Sequence, residues 1–168
     1  MTSALFAARR LALPLLTLAA LAALAACTEP KAPVPAPAQA LEVRLALSSI
    51  QPQVGDTIVA RVRVVGTGAS AVASFTGRID FDSTRVRFVD DQPVDGASSA
   101  VNPGAGTVRV ASMAAQGFSA GTLAAVRFVA TGPSAGLALR VAVEELHSIS
   151  MRDLAPTATV VAAPVKAP

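Results

Sequence analysis

Few residues in this chain are able to do chemistry, and their spacing argues for binding over catalysis. Of 168 residues one is a cysteine, Cys27, and one is a histidine, His147. A zinc site takes about three or four nitrogen, sulfur or carboxylate ligands, and a nucleophile needs a base in reach. Ser98, Ser99 and Ser112 fall in expected loops or strand ends without such a base, and neither a nucleophile elbow nor a phosphate loop is present. His147, near the end of an apolar run, reads as a surface or packing residue. The carboxylates fall into three groups: Asp80 and Asp82; Asp90, Asp91 and Asp95; Glu144 and Glu145. Calcium wants about six to eight oxygens converging on one point, and none of these spacings is that of an EF-hand loop. They read as turn residues and solvated strand positions, with Asp90, Asp91 and Asp95 the first contributors if a cation site exists. The inventory predicts neither enzyme, metal nor cofactor.

The cysteine is informative by its position. Arg9 and Arg10 precede an apolar run from Leu11 to Ala26, and Leu24-Ala25-Ala26-Cys27 closes it. A basic start, an apolar middle and small residues before a cut are the parts of an export leader. The stretch resembles a bacterial lipoprotein signal peptide. That resemblance implies that the Cys27 thiol receives a diacylglyceryl group, that residues 1–26 are removed, and that the mature chain begins at an acylated Cys27 held in the lipid bilayer. Each buried CH₂ of an acyl chain contributes about 0.8 kcal/mol, so two or three chains anchor stably. Thr28 stands where an aspartate would favour retention at the inner membrane. The expected location is therefore the cell envelope, at the outer membrane in a host with two membranes. The alternatives are a secretory leader cut after Ala26, leaving a free thiol, or a membrane anchor, for which the run is short of the roughly 20 residues a span needs.

Loss of Arg9 and Arg10 brings the 14 basic residues into near balance with the 11 acidic ones. No basic stripe with interleaved aromatics suggests a nucleic-acid partner. The chain beyond the leader, about 140 residues, suffices for one domain. Residues 27–40 carry Pro30, Pro33, Pro35 and Pro37 after the cysteine. Proline fixes φ and removes a backbone donor, so this linker is expected to run extended for roughly 30–40 Å between lipid and domain.

From Leu41 the apolar residues recur with period two, as in half-buried strands. Leu41, Val43, Leu45 and Leu47 form one such row; Ile58, Ala60, Val62 and Val64 another; Phe75, Ile79 and Phe81 a third. Val86 and Phe88, Val108 and Val110, Val126 and Phe128, and Leu137, Leu139, Val141 and Val143 continue the pattern, with a weaker run from Thr157 to Ala163. Gly66-Thr-Gly68, Asp95-Gly96, Asn102-Pro-Gly104, Gly117, Gly132-Pro133 and Gly136 punctuate it with turn residues. Eight or nine short strands predict an all-β sandwich or barrel, with Val43, Val62, Phe75, Ile79, Phe88, Val110, Phe128 and Val141 in its core. Ser112–Ala120 has room for a turn of helix, and Phe118, in a Gly-Phe-Ser segment, is expected to be exposed.

The order of these features resembles a known family. Pro52-x-x-Gly-Asp-Thr57 leads into an alternating strand, followed by Val72-Ala-Ser-Phe75 and Ile79-Asp-Phe-Asp82-Ser-Thr-Arg-Val-Arg-Phe-Val89. Later, Gly121-Thr-Leu-Ala-Ala-Val-Arg-Phe128 precedes a Gly-Pro-Ser-Ala-Gly turn at 132–136 and a closing strand. Together these resemble a cohesin domain over residues 41–163, leaving 164–168 as a tail. The resemblance implies a two-sheet jelly-roll sandwich of about nine strands, related to carbohydrate-binding modules, that captures a protein partner. Cohesins bind dockerins through one sheet face, and the calcium in such complexes belongs to the dockerin. Carried onto this chain, the partner-binding row is Ser74, Thr76, Arg78 and Asp80, which also reads simply as a solvated row. Dockerin-binding members often carry Asn and Asp where this chain has Ser74 and Thr76, so a dockerin-like or another protein is implied. Two other functions stay open. A carbohydrate-binding module would recognise polysaccharide, but its usual stacking rings are scarce in a chain with no Trp and no Tyr. A structural envelope lipoprotein would need no dedicated ligand.

Overall fold

The computed structural model describes residues 41–66, 69–133, 135–161 and 164–167. The leader, Cys27 and the proline-rich linker lie outside them. Ten strands alternate with short 3-10 turns: β1 (Leu41–Leu47), β2 (Thr57–Val65), β3 (Val72–Asp80), β4 (Val86–Gln92), β5 (Ser98–Gly104), β6 (Thr107–Met113), β7 (Thr122–Ala130), β8 (Arg140–Ser148), β9 (Ala158–Val160) and β10 (Val165–Lys166). They make a two-sheet sandwich. One sheet has the order β10-β1-β2-β7-β4, with β9 also on β1; the other is β5-β6-β3-β8. Most consecutive strands sit in different sheets or apart in the same one, and only β1–β2 and β5–β6 pair directly with their chain neighbours along these orders. β9 and β10 run parallel to β1 in succession, against Leu41–Val43 and then Ala46–Leu47. The sheet thus continues into the segment assigned to a tail.

The period-two rows close on each other as their parity requires. Val43, Val62, Phe75, Ile79, Val110, Phe128 and Val141 are all buried between the sheets. Burial of each such side chain contributes roughly 1.5–3 kcal/mol relative to exposure. Phe88 differs from expectation: it is half-buried on edge strand β4. It is held edge-to-face on Phe128, whose ring also takes Phe81, at centroid distances of 6.0 and 5.3 Å.

Four other expectations are corrected. Phe118 is buried, at 2% exposure. The turn Ala114–Gly117 closes with a bond from the Gly117 N–H to the Ala114 carbonyl, and the Phe118 N–H bonds the Val72 carbonyl, so the ring is drawn into the core. The helical turn expected in Ser112–Ala120 reduces to a 3-10 turn at Ser119–Gly121, while Ser112 lies within β6, next to its last residue, and buries its hydroxyl on the Leu123 carbonyl at 2.6 Å. Leu137 is 60% exposed because Ala135–Ala138 form a 3-10 turn, and strand β8 begins only at Arg140. Gly136 lets that turn lie on the Ser49–Ile50 backbone, where a Cβ would come within 2.9 Å of the Ser49 carbonyl. Finally, Asn102-Pro-Gly104 is the end of strand β5 and not a turn. β5 pairs with β6 through all seven residues, and the turn between them is Ala105–Gly106. Pro103, which lacks an N–H, is tolerated because β5 is an edge.

Candidate binding face

Alternation on β3 sends Phe75 and Ile79 inward and Ser74, Thr76, Arg78 and Asp80 to the outer surface of the four-stranded sheet. All four residues of the expected row share one face. Gly77 lies between them on the inner side: its missing Cβ would sit 2.6 Å from the Phe75 ring and 2.5 Å from the Ala142 carbonyl. Absence of a side chain there lets the Phe75 ring fold back under the strand and keeps β3 close to β8.

Register supplies the neighbours. Met113, Ala111 and Arg109 on β6 stand opposite Ser74, Thr76 and Arg78, and Ser98, Ala100 and Asn102 continue the rows onto β5. On the other side Thr76 pairs with Glu145 and Gly77 with Val143, so Glu144 is an extra residue in a β-bulge. The bulge turns two consecutive carboxylates to the same face. Glu144 accepts from Nη2 of Arg109 at 3.0 and 3.2 Å and from Nη1 of Arg78 at 3.5 Å, while Glu145 accepts from the Thr76 hydroxyl at 3.3 Å. Nε of Arg78 also donates to both oxygens of Asp80, at 3.1 and 3.2 Å. The Asp80 bond and charge, with Glu144 adding to them, raise the Arg78 pKa above its ordinary value. The upper half of the face is a chain of alternating charge, Arg109–Glu144–Arg78–Asp80. Small side chains at its centre leave two shallow depressions, about 290 and 380 Å³, that share Thr76, Ala100 and Ala111.

The remaining chemistry-bearing residues are engaged elsewhere. Asp90 forms an ion pair with Arg127 and accepts from the Gln92 amide at 2.9 Å, and Asp91 accepts from the Ser99 hydroxyl at 3.4 Å. Asp82 accepts from the Thr84 hydroxyl and N–H at 2.6 and 2.9 Å in the turn before β4. His147 lies opposite Ser74 on β8 and bridges Asp153 through the backbone. Among the described residues no three His, Cys, Asp or Glu side chains gather as metal ligands. Sequence reasoning missed Arg109, Glu144, Glu145, Ala111 and Met113 as members of the face. One local signal existed: two successive glutamates interrupt the alternation of β8, as a bulge requires.

No family model matches the sequence, and no curated protein matches it. Solved structures do. A type II cohesin–X–dockerin complex of Acetivibrio cellulolyticus superposes with a TM-score of 0.59 at 14% identity, covering 74% of this chain and 96% of that one. The domain has a cohesin-like fold. Two further cohesin structures agree: a type II cohesin of Bacteroides cellulosolvens (TM-score 0.54, 12% identity, 73% of this chain and 99% of that one) and a type I cohesin–dockerin complex of Clostridium thermocellum (0.53, 11%, 74% and 99%). At such identities the likeness resides in strand order and sheet packing.

Proposed function

We propose that this chain is a lipid-anchored, non-catalytic module of the cell envelope that captures a protein partner on the outer face of β5-β6-β3-β8. The observation that carries this reading is the face itself. Four strands present a continuous surface whose small central residues, Ala100, Ala111, Ser74 and Thr76, leave room for close approach, bordered by the charge chain Arg109–Glu144–Arg78–Asp80. Fixed charges of both signs confer register and specificity on a protein contact more than raw affinity. Cohesin structures of the same fold were solved in complex with dockerins, which supports a dockerin-like module or another protein as partner. Glycan recognition has less support: Phe75, Phe118 and Phe128 are buried and Phe81 and Phe88 half-buried, so none of the described phenylalanines offers a free stacking platform. The anchor is Cys27, by its place at the end of the leader, and the outer membrane is the favoured site because Thr28 stands next to it.

Two experiments test the proposal. Affinity capture from envelope extract by the full-length protein should recover one dominant protein, and Ala111→Arg, which fills the centre of the face, should abolish that recovery without lowering the thermal midpoint. Undiminished capture by the folded variant, or retention on insoluble polysaccharide instead, overturns the protein-binding face. Mass spectrometry of the native protein should find an acylated Cys27 as first residue, and an intact Met1 start or an unmodified Cys27 overturns the anchor.

A further inference from the structure

The two halves of the face differ in charge balance. Above, Arg78 and Arg109 are both committed to Asp80 and Glu144. Below, Glu145 is exposed, and its side-chain contact among the described residues is the Thr76 hydroxyl, a neutral donor. No arginine or lysine among them pairs with it, so its negative charge is uncompensated there. Beside it lies the larger depression, about 380 Å³, whose lining includes Ala100, Ala111 and Met113 as apolar surface and Ser74, Thr76 and Ser98 as hydroxyls. Met113 is 63% exposed although it ends a strand whose inward residues are fully packed. A carboxylate at one end of an apolar, hydroxyl-rimmed hollow is complementary to a long side chain with an aliphatic stem and a cationic head.

We propose that this depression takes a basic side chain, lysine or arginine, from the protein partner, with Glu145 pairing the cation and Met113 and Ala111 covering the stem. The assignment rests on the protein-binding face proposed above and adds the chemistry of the partner's anchor residue. Basic side chains shield apolar stems while their heads find charge, and a charge-assisted bond is roughly twice as strong as a neutral one. Glu145 owes its orientation to the bulge at Glu144, which sets both carboxylates on one face. Acid in excess on the lower half, against an upper half where exposed Arg140 opposite Asp80 leaves base in excess, fixes the direction in which a partner lies.

A random-peptide display library selected on the full-length protein in detergent tests this, with the Met113 methyl resonance as the local probe. Enriched peptides should share a lysine or arginine, shift the Met113 methyl on binding, and lose about tenfold in affinity against Glu145→Gln, while Glu42→Gln, on the other sheet, leaves affinity unchanged. Peptides that shift Met113 yet need no basic residue, or bind Glu145→Gln equally well, overturn the basic anchor and leave the binding face standing. Peptides that leave Met113 unshifted, or a library that enriches no binder to this face, overturn both.

Discussion

Arg109 on β6 and Glu144 on β8 bond to each other across the whole width of the intervening strand β3, with Nη2 of Arg109 3.0 Å from the nearer carboxylate oxygen. The contact spans two inter-strand spacings of about 4.8 Å, which only a long guanidinium arm and a bulged glutamate can bridge. It ties three strands together on the outside of the sheet, over the point where Arg78 joins the same carboxylate.

Arg109 is mostly exposed and Glu144 about a quarter exposed at their side chains, so the pair stabilises little by itself. A double-mutant cycle of Arg109→Ala and Glu144→Ala, read by urea denaturation, should give a coupling of about 0.3–1 kcal/mol. Raising salt to 1 M, where the Debye length falls to about 3 Å, should shrink it. Zero coupling at low salt would mean the two groups are solvated independently.

Gly77→Ala should cost about 1–3 kcal/mol, because the new methyl meets the Phe75 ring and the Ala142 carbonyl at less than 3 Å. Denaturation should show the loss, and the Phe75 ring resonances should move with it. Wild-type stability in this variant would mean that β3 and β8 separate freely, contrary to the packing described.

Val62 is fully buried while Arg61, one residue earlier on β2, is exposed. Val62→Asp places an unpaired carboxylate between the sheets at a cost of several kcal/mol, a large share of the roughly 5–15 kcal/mol that holds a domain folded. Arg61→Asp should change stability by less than about 1 kcal/mol. Circular dichroism melts of the two variants distinguish them, and equal behaviour would contradict the parity of β2.

The Thr84 hydroxyl and N–H, and then the Arg85 charge, hold the Asp82 carboxyl below its ordinary pKa. A depressed folded-state value contributes stability that is present above the unfolded pKa and lost as pH falls through the folded one, which here means acid below about 3.9. An NMR titration should put the Asp82 midpoint below that range and move it upward in Thr84→Val. The same midpoint in both proteins would refute the hydroxyl's role.

Legibility in the sequence tracks how local each cause is. Parity along β1, β2 and β3 is written in successive residues, because alternate side chains of any strand point the same way. That is why the inward set around Val43, Val62 and Phe75 and the outward row Ser74, Thr76, Arg78 and Asp80 were both readable. β5 was not, since Ser-Ser-Ala-Val-Asn-Pro-Gly has no apolar alternation and is a strand only through its pairing with β6.

The amino-acid sequence by itself determined the class of fold, the faces of its regular strands and the absence of a second histidine or cysteine for chemistry. Tertiary structure decided what lies across from what. Phe118 looked free in its Gly-Phe-Ser setting and is buried because the turn at Ala114–Gly117 delivers it to the Val72 backbone. Glu144 and Glu145 read as solvated positions with no partner in view. A bulge opposite Thr76 and Gly77 brings both outward, to two arginines and a threonine from strands far apart in the chain. Side-chain alternation is a property of one strand, whereas register and bulges belong to pairs of strands, and their partners are chosen by packing across the whole sandwich.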